Sequence, residues 1–178
     1  MYYGDIKQFD VANGPGVRVS LFVSGCHFRC KGCFNAATWD FNYGKPFTDE
    51  TIDQIIEYLK PEYIKGFTIL GGEPWEKQNQ LALLPLLRRV RATYPDINIW
   101  CFTGYQFDRD LNGWMVKHWP ETREMLSYID VIVDGMFVEA LKDLSLRFKG
   151  SSNQRTILVQ ESLQAGKVIL WDDSEPKY

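Results

Sequence analysis

The chain has 178 residues, an ordinary length for one folded unit with one core. Its 45% hydrophobic and 24% charged residues are usual for a globular protein, and a net charge of −3 supplies no broad basic field to gather nucleic acid. No apolar run approaches the roughly 20 residues that span a bilayer, and the N-terminus lacks the pattern of a secretory signal, so a cytoplasmic protein is expected.

No repeat, low-complexity tract or Gly/Ser linker divides the chain, so residues 1–178 are expected to form a single domain. Residues 1–10 read as aromatic and irregular, and Asn13-Gly14-Pro15-Gly16 as a turn. Val17–Val23 alternates as a strand, with Val17, Val19, Leu21 and Val23 on one face and Arg18, Ser20 and Phe22 on the other. That strand runs into Ser24-Gly25-Cys26-His27-Phe28-Arg29-Cys30-Lys31-Gly32-Cys33-Phe34-Asn35, which holds three of the four cysteines as C-x3-C-x2-C.

Three soft thiolates on one loop, with no fourth partner in sequence, favour a metal centre with one open position. Thiolates select zinc, copper(I) or iron–sulfur clusters, and structural zinc wants four ligands, usually as two separated pairs. A [4Fe–4S] cube on Cys26, Cys30 and Cys33 leaves one iron free and is the leading reading. The alternatives are a disulfide, a zinc site completed by Cys101 or His27, and a redox pair of Cys30 and Cys33. Cys101, in a strand beside Ile97 and Ile99, reads as a buried inert thiol.

Further along, Thr48 suits an N-cap for a helix over 49–60, with an Ile52, Ile55, Ile56, Leu59 stripe and Pro61 as its stop. Phe67–Leu70 reads as a buried strand ending in Gly71-Gly72-Glu73-Pro74. A helix over about 81–94 contains Pro85, in its first turn or as a kink. Ile97–Phe102 is the next strand, ending in Thr103-Gly104, and 107–127 is mostly helical. Ile129–Val133 forms a strand ending in Asp134-Gly135. Residues 155–160 and 167–171 read as a hairpin. Arg88, Arg89 and Arg91 are a solvated helix face or a docking patch, and His118 is a surface residue. Gly150-Ser151-Ser152-Asn153-Gln154-Arg155 reads as a polar loop with room for a ligand or partner contact.

Alternating strands and helices imply parallel strands with right-handed crossovers. About five strands are too few for a closed eight-stranded barrel, so the expected fold is α/β, a small partial, open β/α barrel of about five parallel strands. Ligands gather at the carboxyl ends of such strands. Four strand ends carry distinctive residues there: the cysteine loop, Gly71–Pro74, Thr103-Gly104 and Asp134-Gly135. Gly71 and Gly72 permit close backbone approach, Glu73 suits an ammonium or hydroxyl partner, and Thr103 and Asp134 are placed to orient a ligand or cap turns.

The C-x3-C-x2-C loop followed by Gly71-Gly72-Glu73-Pro74 resembles the radical S-adenosylmethionine enzymes. Over about residues 8–155, Asn13–Gly16, Ser24–Cys26, Cys30–Asn35, Thr103-Gly104-Tyr105, Asp134-Gly135 and Gly150–Gln154 are similar to the anaerobic ribonucleotide reductase activating proteins. The resemblance implies a [4Fe–4S] cluster on Cys26, Cys30 and Cys33 whose fourth iron binds the amino and carboxylate groups of S-adenosyl-L-methionine. It also implies that Gly71, Gly72, Glu73 and Pro74 hold the methionine end, and that Phe34, Thr103 and Asp134 belong to the cofactor site. Reductive cleavage would give methionine and a 5′-deoxyadenosyl radical, which takes a hydrogen from a glycine of an anaerobic ribonucleoside-triphosphate reductase. The implied partners are that reductase and a low-potential electron donor such as flavodoxin, with no nucleic acid or membrane. Many enzymes of the superfamily carry an aromatic residue just before the third cysteine; here Gly32 stands there and Phe34 follows Cys33, leaving the adenine contact unassigned. The segment 156–178 has no assigned role. Competing functions are a pyruvate formate-lyase activase, a small-molecule enzyme such as a deazaguanine synthase, or a non-catalytic metal-binding module. A small-molecule enzyme needs extra sequence to enclose its substrate, and this chain has little.

Overall fold

The computed structural model describes residues 1–174. Its centre is a seven-stranded mixed sheet of order β3-β1-β2-β4-β5-β6-β7. The strands are β1 (Tyr2–Asp10), β2 (Val17–Val23), β3 (Lys45–Pro46), β4 (Ile64–Gly71), β5 (Asn98–Phe102), β6 (Val131–Asp134) and β7 (Arg155–Leu158). The expectation of about five parallel strands is corrected: β2, β4, β5 and β6 are parallel, while β1, β3 and β7 run antiparallel to their neighbours.

Two local readings account for the difference. Tyr2–Asp10 is a strand, not an irregular lead-in. Its register against β2 shifts between Tyr3 and Asp5 and again between Lys7 and Asp10, which interrupts the period-two pattern. The expected hairpin of 155–160 and 167–171 also gives way. Residues 155–158 pair with β6, and the later segment touches β7 through a single bridge, Ile157 to Leu170. Between them lies a short helix, α5 (Val159–Ala165), which ends at Gly166 with a left-handed φ of 66°.

The helices α1 (Asp49–Tyr58), α2 (Lys77–Thr93) and α4 (Pro120–Tyr128) supply residues to one core with the sheet. At the start of α1 the Thr48 backbone N–H donates to Thr51 Oγ1 at 3.1 Å. Helix α2 begins at Lys77, four residues before the expected start, so Pro85 sits inside it. The ring removes one intrahelical hydrogen bond, and both Pro85 and Leu81 lie on the exposed face, where water can serve the freed Leu81 carbonyl. Residues 107–127 are helical as expected, first as a π-helix (Phe107–Met115), then α3 (Val116–His118) and α4.

Val19, Leu21 and Val23 of β2 join Phe67 and Ile69 of β4, Ile99 and Cys101 of β5 and Ile132 of β6 in that core. On the opposite face Trp100, Val131 and Val133 are covered by Trp171 and Phe148. Arg18 lies on this second face, fully buried. Its guanidinium donates to Thr68 Oγ1 at 2.7 Å and to the carbonyls of Phe67 and Asn98 at 3.0 and 2.9 Å. Burial pushes its pKa down to about 9.

Register settles where the functional loops meet. Val23 pairs with Gly71, Ile69 with Cys101, and Phe102 with Val133. The carboxyl ends of four parallel strands are therefore nearly level, and the loops after them leave along one edge. The turn at Asn13–Gly16 lies at the opposite edge, before β2. The helix arginines are held by near neighbours. Arg88 reaches Glu124 at 2.6 and 2.8 Å, Arg89 pairs with Asp53, and Arg91 bonds the Tyr128 carbonyl and Asp130. Among the described residues no helix is long and apolar enough to cross a membrane.

Candidate active site

The cysteine loop is bent by residues in left-handed conformations: Gly25 at φ 99°, Gly32 at φ 75° and, unusually for a side-chain-bearing residue, Arg29 at φ 49°. The Gly25 N–H donates to Thr38 O at 2.7 Å and the Cys26 N–H to Trp39 O at 3.2 Å, so the returning segment pins the start of the loop. The Cys33 N–H closes a turn on Cys30 O at 3.1 Å. All four cysteines are free; Cys26, Cys30 and Cys33 are partly exposed, and Cys101 is fully buried in the core.

Burial and the neighbouring Glu73 push the Cys26 thiol up to about 11, against the pull of the Phe28 and Arg29 amides. Burial raises Cys30 as well, with the amide of Phe137 opposing it. The charge of Cys30 adds to the rise at Cys26, after burial and Glu73. Metal binding displaces the protons from such thiols.

The loop after β4 lies against the cysteine loop. Gly72 N–H donates to Val23 O at 2.7 Å and Glu73 N–H to Gly25 O at 2.8 Å. A Cβ on Gly72 would stand 2.6 Å from the Gly25 carbonyl oxygen, and Gly71 holds a φ of 109°, so this approach needs glycine. Glu73 is buried. Its Oε1 accepts from the Trp75 N–H at 3.0 Å and the Thr103 hydroxyl at 2.9 Å, and its Oε2 from the Gly104 N–H at 2.8 Å. Burial pushes its carboxyl up to about 8 against these donors. A carboxylate offers about four acceptor sites, and three are taken, which leaves one on Oε2.

Two side chains that sequence reading passed over tie this corner together. The fully buried Asn79 donates through Nδ2 to Ser24 O at 3.0 Å and Glu73 O at 2.9 Å, linking the two loops. Glu76 accepts from the His27 N–H at 3.2 Å and lies 2.9 Å from His27 Nδ1. Glu76 is the residue just before α2 and Asn79 lies in its first turn, at the spacing that follows a Gly-Gly-Glu-Pro turn. That spacing is their only mark in the sequence.

The remaining expected residues divide. Pro74 is buried beside Glu73, and Thr103 bonds Glu73 directly. Asp134, at the end of β6, is buried and bonded to the protein: it accepts from Arg155 at 3.0 and 2.5 Å and from the Phe107 N–H at 2.8 Å. Phe34 is 84% exposed and lines a shallow pocket of about 360 Å³ on the β1 side with Phe22 and Tyr43. The aromatic residue of the loop that faces the strand ends is Phe28, whose ring meets Tyr105 edge-on at 4.7 Å. A hollow of about 940 Å³ opens at the opposite ends of the strands, near Arg18, Asn98 and Trp171, and is lined by none of the cysteines.

Among the described residues no three His, Cys, Asp or Glu side chains are drawn around one point as a single ion requires. Zinc holds its thiolates about 2.3 Å from one centre. The looser grouping of three soft donors on one loop fits a larger cluster. Cys101, buried in the core, is not placed to complete a zinc site with them, and His27 turns its Nδ1 to Glu76.

Residues 12–157 match the family described as a 4Fe-4S single cluster domain. The anaerobic ribonucleoside-triphosphate reductase-activating protein of Escherichia coli K12 is 44% identical over 156 residues, covering 86% of this chain and 96% of that protein. The protein of the same name from Haemophilus influenzae is 45% identical over 156 residues, with the same shares covered. That of Enterobacteria phage T4 is 40% identical over 155 residues, 87% of this chain and 92% of that protein. The chain belongs to the family of anaerobic ribonucleoside-triphosphate reductase-activating proteins.

Proposed function

We propose that this protein is a radical S-adenosylmethionine activase that installs a glycyl radical on an anaerobic ribonucleoside-triphosphate reductase. The observation that carries the reading is the union of the cysteine loop with the loop after β4: Gly72 and Glu73 bond Val23 and Gly25 through their backbones, while Asn79 clasps Ser24 and Glu73 together.

In this reading Cys26, Cys30 and Cys33 hold a [4Fe–4S] cluster and Cys101 takes no part. When bound, the cluster supplies one electron to the sulfonium of S-adenosylmethionine, and the carbon–sulfur cleavage provides the species that removes a hydrogen atom from glycine. The chain itself binds and orients. The open backbone at Gly71–Gly72 and the unused acceptor site of Glu73 receive the methionine ammonium, whose positive charge stabilises the buried carboxylate. Thr103 and Gly104 fix that carboxylate. Pro74 stiffens the turn. Asp134 holds β7 and the start of the π-helix at the rim through Arg155 and Phe107. Phe34 offers an exposed ring for a ligand, and Phe28 with Tyr105 a second aromatic surface nearer the strand ends.

The four parallel strands are read as the wall of a partial, open β/α barrel, an architecture whose open mouth suits a protein substrate. The electron comes from a low-potential donor of the flavodoxin kind in the reducing cytoplasm. Anaerobic reconstitution with iron and sulfide, then reduction with S-adenosylmethionine present, tests the reading. Methionine and 5′-deoxyadenosine are the expected products, and a full, reducible cluster that yields neither overturns it.

A further inference from the structure

Beside the cysteine loop runs a short ridge, residues 135–138, that is more rigidly built than a connecting loop requires. The Gln154 side chain donates to Gly135 O at 2.9 Å, and the Asn153 side chain to Met136 O at 2.9 Å. The Val138 N–H donates to Ser151 Oγ at 3.1 Å, and the Gly150 and Ser151 amides donate to Gln154 Oε1 at 2.8 and 3.1 Å. The polar run 150–154 thus holds the ridge through three of its own side chains. The ridge in turn abuts the cysteines. The Phe137 amide lies beside the Cys30 thiol, and Glu139, one residue past the ridge, pairs with Lys31 at 3.1 Å.

What this scaffold presents outward is apolar. Met136 is 40% exposed and Val138 37%, and beyond them Leu141 and Leu144 are 43% and 90% exposed. Exposed apolar side chains scattered singly are ordinary, but several grouped on one held segment mark an interaction site. Docked surfaces have this make-up, an apolar centre that includes methionine within a polar rim. The Lys31–Glu139 pair supplies polar rim on the cysteine side.

We infer that Met136, Val138, Leu141 and Leu144 form the docking ridge for the reductase segment that carries the reacting glycine. The inference rests on the activase reading, which requires a polypeptide to reach the cysteine loop. The ridge is continuous with that loop through Phe137 and Glu139. A glycine-bearing strand seated on it would lie across the mouth of the site, its apolar neighbours on the ridge and its glycine over the cysteines.

The test uses the reconstituted full chain and three variants, Met136→Glu, Val138→Glu and Leu144→Glu. These three side chains point to solvent and make no hydrogen bond or ion pair with the cysteines or Glu73 among the described residues, so 5′-deoxyadenosine formation without reductase should stay within about two-fold of wild type. The concentration of reductase that gives half-maximal glycyl radical should rise about ten-fold or more for Val138→Glu, the size of effect a central contact carries. The affinity of the two proteins, measured by sedimentation without S-adenosylmethionine, should fall in parallel. Unchanged half-saturation and affinity in all three variants overturn the docking ridge while leaving the activase reading intact. A wild-type protein with a full cluster and no 5′-deoxyadenosine overturns the activase reading, and the ridge with it.

Discussion

The Thr103 hydroxyl donates to Glu73 Oε1 at 2.9 Å, joining the end of β5 to the loop after β4 at a carboxylate sealed from solvent. The same hydroxyl oxygen accepts the Tyr105 N–H at 3.0 Å, which fixes its direction. Hydrogen bonds to charged groups contribute about 1.5–3 kcal/mol. Thr103→Val should therefore weaken S-adenosylmethionine binding about ten-fold with iron content unchanged, and Thr103→Ser should restore most of it. Equilibrium binding to the reconstituted protein reads both. Equal affinity in the valine variant would detach Glu73 from the ligand.

Glu73 also gives the cluster-free protein a pH signature. Its carboxyl ordinarily titrates at 4.5, and burial pushes it up to about 8 in the folded protein. Below 4.5 both states carry the proton and the stability it contributes is fully present. Between these values the unfolded chain ionises freely while the folded chain resists, so that contribution falls as pH rises and is lost through about 8. Glu73→Gln should flatten this part of the profile. Urea midpoints of the anaerobic, metal-free proteins from pH 4 to 9 check it; parallel profiles for the two proteins would contradict it.

The cysteines should separate cleanly. Cys26→Ala, Cys30→Ala and Cys33→Ala should each lose the cluster absorbance and all S-adenosylmethionine cleavage. Cys101→Ala should keep both, at a stability cost of about 1 kcal/mol for the small void left in the core. Loss of iron from the Cys101 variant would show that the ligand set is wrongly drawn.

Arg155 pairs with the buried Asp134 at the rim of the site and also reaches Asp108 at 2.7 Å. Arg155→Ala strands a buried carboxylate, which should cost about 3 kcal/mol. Adding Asp134→Asn should recover part of that loss, because a neutral amide tolerates burial better. Denaturant unfolding of the single and double variants measures the difference, and an additive further loss in the double variant would contradict it.

Much of this site was readable in the chain because residue type and spacing are unusual there. Three cysteines in one loop, a double glycine before a glutamate, and turn residues after each apolar run all mark strand ends. The parallel strands β2, β4, β5 and β6 follow from their apolar patterns. Strand β1 was hidden because two register shifts break its alternation and most of its residues stay partly exposed. Helix α5 is too short, at seven residues, to show a helical period. Asn79 and Glu76 were missed for a different reason. At the start of a helix they look like ordinary polar residues, and only the folded structure places them against the carbonyls of Ser24 and Glu73 and the amide of His27. Phe28 outweighs Phe34 at the strand ends because the loop reverses at Arg29, a bend no residue-type rule foretells.

The decisive measurement is electron paramagnetic resonance of an anaerobic ribonucleoside-triphosphate reductase incubated with the reconstituted, reduced protein and S-adenosylmethionine. A glycyl radical should appear on the reductase, accompanied by 5′-deoxyadenosine, and should vanish with Cys26→Ala, Cys30→Ala or Cys33→Ala. A silent reductase in the presence of a full, reducible cluster and bound S-adenosylmethionine would contradict the activase reading.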